Sequence, residues 1–111
     1  MITAAKLRKT ALALPEAEER ETWGEATFRV RDRIFMILAS NGKTVAVKAT
    51  LEDQAALITA DPGTFSVASY VGRFGWTRVQ LATVDPDEMR ELVTDAWRAT
   101  APKRLLASYD A

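Results

Sequence analysis

The fold is decided by residues 34–48, which read IFMILASNGKTVAVK. Apolar and other side chains alternate on both sides of Asn41-Gly42, and a period of two is typical of strands that bury one face. Asn-Gly between two such runs is the strongest short-range signal for a β-hairpin, because a type I′ turn needs positive φ at both central residues. This turn predicts two cross-strand pairs, Leu38 with Val45 and Met36 with Val47.

Another strand precedes this hairpin, since Phe28 and Val30 alternate with polar residues. A two-residue turn after Val30 would put Arg29 and Ile34 on one face, which conflicts with the apolar pattern. We therefore prefer a three-residue loop at 31–33, which pairs Val30 with Ile34. The predicted core face consists of Phe28, Val30, Ile34, Met36, Leu38, Val45 and Val47. The predicted opposite face carries Thr27, Arg29, Phe35, Ile37, Ala46 and Lys48.

Capping signals predict three helices. Thr3 is the N-cap of the first helix, which ends at Pro15. Thr50 opens a motif that resembles a capping box and begins the second helix. Asp85 is the N-cap of the third helix, and Pro86 occupies its first position, where a missing N–H costs nothing.

The remaining segments complete the predicted topology. The Glu-rich stretch Pro15–Glu21 is expected to be a connector, Phe65–Val67 a short strand and Trp76–Val84 a longer one. Antiparallel strands with helices on one face define a two-layer α+β sandwich. We predict a single domain over residues 1–111, with a sheet of about five strands and the element order α-β-β-β-α-β-β-α.

The amino-acid composition excludes several classes of function. The chain has 111 residues, and its 15 Lys and Arg balance its 15 Asp and Glu. It contains no His and no Cys, which excludes zinc sites with nitrogen or sulfur ligands, thiol nucleophiles and histidine-based triads. No nucleophile motif or phosphate-binding loop is present, so we expect a protein without enzymatic activity, cofactor or metal. The absence of cysteine and of a long apolar stretch predicts a cytoplasmic protein without a membrane partner.

Charge is distributed unevenly along the chain. Thr27–Lys48 has five basic residues and one acidic residue, a net charge of +4, whereas the predicted last helix has a net charge of −3. A basic sheet face with aromatic residues suits an anionic partner such as nucleic acid, because cations contact phosphates and rings stack on bases. A solvated face on which basic side chains cover apolar neighbours explains the same pattern. The residues of this face would be Arg29, Arg78, Lys48, Phe35 and Trp76.

Two other features have simpler interpretations than a functional site. Five glutamates lie within Glu16–Glu25, and oxygen ligands of this kind can bind hard cations. The residue spacing of a calcium loop is missing, however, so solvated charge is the simpler interpretation. Trp23 and Trp97 are expected to be core aromatics, whereas strict alternation puts Trp76 on the same side as Arg78.

A set of short segments occurs in a characteristic order between residues 5 and 106. The segments are Leu12–Pro15, Trp23-Gly24, Phe28–Val30, Ile34-Phe35, Val45–Lys48, Ala60–Pro62, Tyr70–Arg73, Gly75-Trp76, Val79, Val84-Asp85 and Ala101–Leu105. Together they resemble the MmcQ/YjbR family of small bacterial proteins.

The resemblance implies a frataxin-related sandwich, also described as a double wing, and members of this family are commonly labelled DNA-binding on the basis of their fold. Many relatives carry a His before the strand that begins near Trp76, but Ser66–Tyr70 contains none, so no role of that His is transferred. The family pattern marks these residues for a shared function: Trp23, Lys48, Tyr70, Arg73, Trp76, Lys103 and Arg104. Trp23-Gly24 could instead fix the entry into a strand, and Lys103-Arg104 could cap a helix.

We therefore predict a non-enzymatic protein that binds nucleic acid weakly and without sequence preference. The candidate contacts are Arg29, Lys48, Arg73, Trp76, Arg78, Lys103 and Arg104. The principal alternative is a homodimer or protein-interaction module that uses Phe35 and Ile37. Weaker alternatives are metal binding at Glu16–Glu25, by analogy with frataxin, and an anionic small ligand.

Overall fold

The structure, a computed structural model, describes residues 1–111. Its strands are β1 (Ala17–Thr22), β2 (Glu25–Val30), β3 (Arg33–Leu38), β4 (Thr44–Val47), β5 (Phe65–Val67) and β6 (Thr77–Gln80). Its α-helices are α1 (Ala4–Leu12), α2 (Leu51–Ala60), α3 (Pro86–Thr100) and α4 (Lys103–Asp110), and a short 3₁₀ helix spans Gly72–Phe74. The six strands form one antiparallel sheet in the order β1-β2-β3-β4-β6-β5, so the predicted α+β class is confirmed. No helix combines the length and the apolarity that crossing a membrane requires.

The three predicted N-caps are confirmed by hydrogen bonds. The Thr3 hydroxyl accepts from the backbone N–H of Lys6 at 3.1 Å, and the Thr50 hydroxyl accepts from that of Asp53 at 3.0 Å. A carboxylate oxygen of Asp85 accepts from two N–H groups in the first turn of α3, at 3.0 and 3.1 Å. Each bond satisfies a donor that the helix leaves unpaired, which is why these residue types begin the helices.

The core lies between the sheet and helices α1 and α3. Met89, Val93, Ala96 and Trp97 form the buried stripe of α3. The indole N–H of Trp97 donates to the carbonyl oxygen of Pro15 at 3.0 Å, so the polar group of this fully buried ring is satisfied. The inward side chains of β2, β3 and β4 are Phe28, Val30, Phe35, Met36, Leu38, Val45 and Val47.

The turn between β2 and β3 differs from the predicted three-residue loop. Arg31-Asp32 form a two-residue turn with φ angles of 52° and 66°, and Arg29 pairs with Ile34. A β-bulge removes the conflict with the apolar pattern, because Phe35 has no pairing partner in β2 and the ladder resumes one residue later.

This bulge exchanges two neighbouring side chains relative to the prediction. Phe35 is fully buried in the core, whereas Ile34 is only half-buried and lies on the open face opposite Arg29. The predicted positions of Phe35 and Ile34 were therefore wrong. Phe28 still pairs with Met36, as the three-residue loop would require, since the bulge supplies the extra residue.

The β3–β4 hairpin has the predicted register but a different turn. The pairs Leu38 with Val45 and Met36 with Val47 are confirmed. Only Gly42 of the Asn-Gly pair has positive φ, 70°, so the turn is not type I′. The N–H of Gly42 donates to the Ala39 carbonyl at 2.9 Å, and the Asn41 side chain accepts from the N–H of Lys43 at 2.9 Å. A longer loop with one left-handed residue thus preserves the register.

Two elements were missing from the predicted topology. The stretch expected to be a connector contains β1, an edge strand that pairs with β2 along its whole length. Its side chains show no apolar alternation because the four central residues of the six are all exposed. Charged residues on an edge strand oppose pairing with other chains. After Pro102 the chain forms a fourth helix, α4, where only a final turn was expected.

Candidate ligand-binding groove on the open sheet face

A groove of about 740 Å³ crosses the face of the sheet that is turned away from α1 and α3. We call it the open-face groove. Its floor is formed by β3, β4 and β6, one wall by the turn between β1 and β2, and the other wall by the segment that follows β5. The lining residues are Trp23, Glu25, Ile37, Ala39, Thr44, Val45, Ala46, Ala68, Ser69, Tyr70, Val71, Arg78 and Gln80.

The floor is concave because small side chains lie at its centre. Ile37, Ala46 and Arg78 are directly paired across β3, β4 and β6. Ala46 and the neighbouring Ala39 project little from the sheet, so the longer side chains at the sides rise above them. The floor is therefore mainly apolar, with one guanidinium at its edge.

The first wall carries Trp23 in the turn between β1 and β2. Thr22 pairs with Glu25, so Trp23-Gly24 form a two-residue turn, and their φ angles are 51° and 81°. Trp23 is 94% exposed, so its predicted place in the core was wrong. A turn residue at the tip of a hairpin cannot reach the core on the far side of the sheet.

The second wall is the segment Ala68–Val71, which carries Tyr70. Tyr70 has a φ of 63° and is 98% exposed. The guanidinium of Arg78 donates to the hydroxyl of Ser69 at 2.6 Å and thereby joins this wall to β6. Tyr70 thus stands at the groove on a segment tied to the floor.

Helix α2 supports this wall from behind. The side-chain amide of buried Gln54 donates to the carbonyl oxygens of Gly72 and Trp76, at 2.9 and 2.7 Å. Gly75, with a φ of 103°, lies against the backbone of Ala49, where no side chain fits. These contacts attach the segment from Gly72 to Trp76, which follows the wall, to the N-terminal end of α2.

Two cations lie on the open face without a carboxylate partner within ion-pair distance. Arg78 bonds to a hydroxyl, as described, and Arg29 donates to the hydroxyls of Thr22 and Thr27 at 3.1 and 3.2 Å. Every ion pair of the structure involves other basic residues. Glu25 is the one acidic residue that lines the groove. Both guanidiniums are positioned by neutral groups, and the cross-strand neighbour of Arg29 on the same face is the acidic residue Glu18.

The other predicted contact residues do not converge on this groove. Lys48 lines a separate groove of about 280 Å³ between α2 and α3, together with Asp53 and Asp95. The guanidinium of Arg73 lies 4.8 Å from the ring centre of Phe74, beyond the groove lining. Trp76 is half-buried and is not part of the lining, and Lys103 and Arg104 occupy the first turn of α4. Of the seven candidates, Arg29 and Arg78 share the open face.

Three of the five glutamates near the first loop form ion pairs. Glu16 accepts from Arg31 at 2.5 and 3.1 Å, and this guanidinium lowers the pKa of the Glu16 carboxyl. Glu19 pairs with Arg8 at 2.7 Å. No three carboxylates are grouped as a metal site would require, so the structure gives no support to the metal hypothesis.

Sequence reasoning missed the exposure of Trp23 and the contribution of Ser69 and Glu25. Trp-Gly between two strands would have indicated an exposed turn at Trp23. The first of these strands, β1, was not recognised because its sequence has no apolar period. Tyr70 was marked by the family pattern alone. The groove is lined by residues that are distant in sequence, so no local sequence pattern predicts it.

These features define a two-layer α+β protein with an open antiparallel sheet, helices on one face and a groove on the other. A family model described as YjbR matches residues 12–99, and this chain belongs to that family, as its resemblance to the MmcQ/YjbR proteins predicted.

Relatives are found among mycobacterial proteins. Uncharacterized protein Mb2600 of Mycobacterium bovis and uncharacterized protein Rv2570 of Mycobacterium tuberculosis are each 30% identical over 90 residues. The matched region covers 77% of this chain and 70% of each relative.

A solved structure shows the same fold. The crystal structure of the Deinococcus radiodurans protein DR2400, described as a DUF419 domain, matches with a TM-score of 0.80 at 21% identity. The match covers 87% of this chain and 77% of that chain. The two-layer arrangement is therefore shared.

Proposed function

We propose that this protein binds nucleic acid at the open-face groove, weakly and without sequence preference, and that it has no enzymatic activity. The observation that carries the proposal is the position of Arg78. Its guanidinium lines a groove with exposed aromatic walls and has no carboxylate partner. Phosphate contacts by arginine give affinity without sequence information. A cytoplasmic location belongs to the same proposal, and the absence of cysteine supports it.

The charge of the molecule explains why binding should be weak. The net charge is zero, and Arg29 and Arg78 are the cations on the open face without an ion-pair partner. Each phosphate contact on a single strand contributes about −0.7 to the slope of log K against log salt, so two contacts predict a slope of about −1.4. Dissociation constants of about 10⁻⁴ to 10⁻⁶ M are typical of such nonspecific binding.

The proposal uses fewer residues than the contact set predicted from the sequence. Phe35 cannot stack on a base because it is fully buried. Lys48 is placed at another groove, and Lys103 and Arg104 lie on α4, so the proposal does not use them. Arg73 lies against the ring of Phe74, outside the groove lining, and the proposal does not use it either.

Binding of labelled DNA and RNA oligonucleotides, measured by fluorescence anisotropy at about 50 and about 200 mM salt, tests the proposal. Arg78→Gln should weaken binding and make the salt slope shallower by about 0.7. Lys103→Gln removes one positive charge from α4, outside the groove lining, and is the matched control. The proposal fails if the unaltered protein does not bind at micromolar concentration in low salt. It fails equally if the two variants lose the same affinity.

A second candidate function is self-association through the same face. The open face presents Trp23 and Tyr70, both almost fully exposed, above an apolar floor that includes Ile37. Exposed apolar surface of this kind is also typical of protein interfaces. Light scattering after size-exclusion chromatography distinguishes the candidates, because a concentration-dependent dimer that Trp23→Asn dissociates would favour self-association.

A further inference from the structure

Building on the proposed nucleic-acid function, we infer that Trp23 and Tyr70 form a clamp for unpaired nucleobases, so that the open-face groove selects single strands over duplex. The inference rests on the backbone conformation, the exposure and the common groove of these two residues.

The backbone at both positions is unfavourable for an aromatic residue. Trp23 and Tyr70 have φ angles of 51° and 63°, in the left-handed region that L-residues with large side chains rarely occupy. Two-residue hairpin turns with positive φ strongly favour Asn, Asp or Gly at the position that Trp23 fills. Neither residue is the choice that the local conformation would make for stability.

Burial does not compensate for this conformational cost. A large aromatic side chain normally stabilises a fold through the apolar surface that it removes from water. Trp97 does so, being fully buried, whereas Trp23 is 94% exposed and Tyr70 is 98% exposed. Unfavourable backbone conformations that persist without a packing benefit are concentrated at functional sites.

The two rings belong to one groove. Trp23 stands on the wall beside β2, and Tyr70 stands on the opposite wall beside β6. Three strand spacings of about 4.8 Å separate β2 from β6, so the strands beside the two walls lie about 14 Å apart. An open sheet face with exposed aromatic rings stacks splayed bases, while nearby arginines contact the phosphates.

Base pairing determines which nucleic acid can enter. In a duplex each base is stacked between its neighbours, so its faces are not available to protein side chains. In an unpaired strand both faces are available, and every base has a π-face, so stacking is insensitive to sequence. The clamp therefore adds strand selectivity to the proposed binding without adding sequence preference.

The test compares Trp23→Asn and Tyr70→Asn with the unaltered protein. Both variants should unfold at a higher urea concentration, because Asn tolerates the left-handed conformation better. Each should bind a single-stranded oligonucleotide roughly tenfold more weakly and should largely lose the preference over duplex. Phe74→Ser is the matched control, since Phe74 is an exposed aromatic residue outside the groove. The Phe74→Ser variant should bind the single-stranded oligonucleotide as tightly as the unaltered protein.

Fluorescence gives a second readout. Trp23 is the fully exposed tryptophan, while Trp76 is half-buried and Trp97 is buried. Stacked bases should quench Trp23 emission, and Trp23→Asn should remove the quenching.

The outcomes separate the clamp from the proposed function. Equal affinity for single strand and duplex, or a destabilised Trp23→Asn variant, overturns the clamp, even if Arg78→Gln still weakens binding. Absence of any nucleic-acid binding overturns both inferences. Variants that convert a dimer to a monomer, with no effect on oligonucleotides, assign the two rings to a protein interface.

Discussion

Phe35 occupies the extra position of the bulge in β3, and this residue decides which side chains reach the core. Its ring is fully buried, while the preceding Ile34 lies half-buried on the open face. The bulge lets two consecutive residues, Phe35 and Met36, point into the same apolar cluster. The open face thereby loses an aromatic residue and retains an aliphatic floor.

Phe35→Ala should lower the free energy of unfolding by about 3–5 kcal/mol, because it leaves a cavity in a close-packed core. Urea denaturation measures this change. Ile34→Ala is the matched control and should cost less than half as much. Equal losses in the two variants would mean that Phe35 is not the core residue of the pair.

Gly75 should tolerate no side chain. A Cβ added there would lie 2.7 Å from the carbonyl carbon of Thr50 and would also meet the backbone of Ala49. Gly24 has a similar positive φ, 81°, but nothing lies within 4 Å of its added Cβ. Gly24→Ala should therefore cost about 1–2 kcal/mol, the conformational cost alone, and Gly75→Ala should cost more. Thermal or urea unfolding of both variants compares them, and similar costs would contradict the close approach.

At the scale of elements, helix α4 packs on the core through half-buried Leu105 and Leu106 and is also held by contacts of its last turn. The guanidinium of Arg98 donates to both carboxylate oxygens of Asp110, at 3.1 and 2.5 Å, and Tyr109 packs against Trp97 with ring centres 5.0 Å apart. The first turn has no side-chain cap, and the helix has no fully buried residue. The C-terminal contacts therefore add to the attachment that the apolar side chains of α4 provide.

The attachment of α4 should weaken in acid. The guanidinium of Arg98 lowers the pKa of the Asp110 carboxyl below its ordinary value of 3.8. A lowered native pKa means that the stabilisation is present above the ordinary value and is lost as the pH falls through the native one. Tyr109 fluorescence or amide exchange in α4 should report this loss. Asp110→Asn should increase amide exchange in α4 at neutral pH, and lowering the pH should then cause no further loss of attachment. If α4 of this variant still loosens in acid as in the unaltered protein, Asp110 does not have this role.

At the scale of the whole molecule, the positive and negative charges cancel, and their effects depend on where individual side chains lie. The net charge is zero, and all six ion pairs lie at the surface. Exposed pairs contribute little to stability because water and salt screen them. Arg29 and Arg78 stay outside these pairs, so salt should act on ligand binding more than on folding.

Raising the salt from about 50 to about 500 mM should change the free energy of unfolding by less than about 1 kcal/mol, since exposed pairs are weak. Urea denaturation at the two salt concentrations measures this change. Over the same range, affinity for a single-stranded oligonucleotide should fall by more than tenfold, because two phosphate contacts give a slope of about −1.4. If the free energy of unfolding fell in parallel with the affinity, the surface charges would be stabilising the fold rather than binding the ligand.

Local signals determined much of this molecule from sequence alone. The three N-caps at Thr3, Thr50 and Asp85 and the register of the β3–β4 hairpin involve residues only a few positions apart. The apolar stripe of α3 is likewise a matter of spacing within one helix. Such features depend on backbone hydrogen bonds and periodicity, which a single segment carries with it.

Tertiary structure alone decided the rest. β1 exists because its backbone pairs with β2, and exposed edge side chains leave no apolar period to recognise. The bulge at Phe35 makes the two-residue turn at Arg31-Asp32 compatible with a packed core. It forms only when β3 pairs with both of its neighbouring strands. The open-face groove brings Trp23, Tyr70 and Arg78 together from separate parts of the chain. Contacts between distant segments form only when the whole sheet is assembled, so no local pattern can specify them.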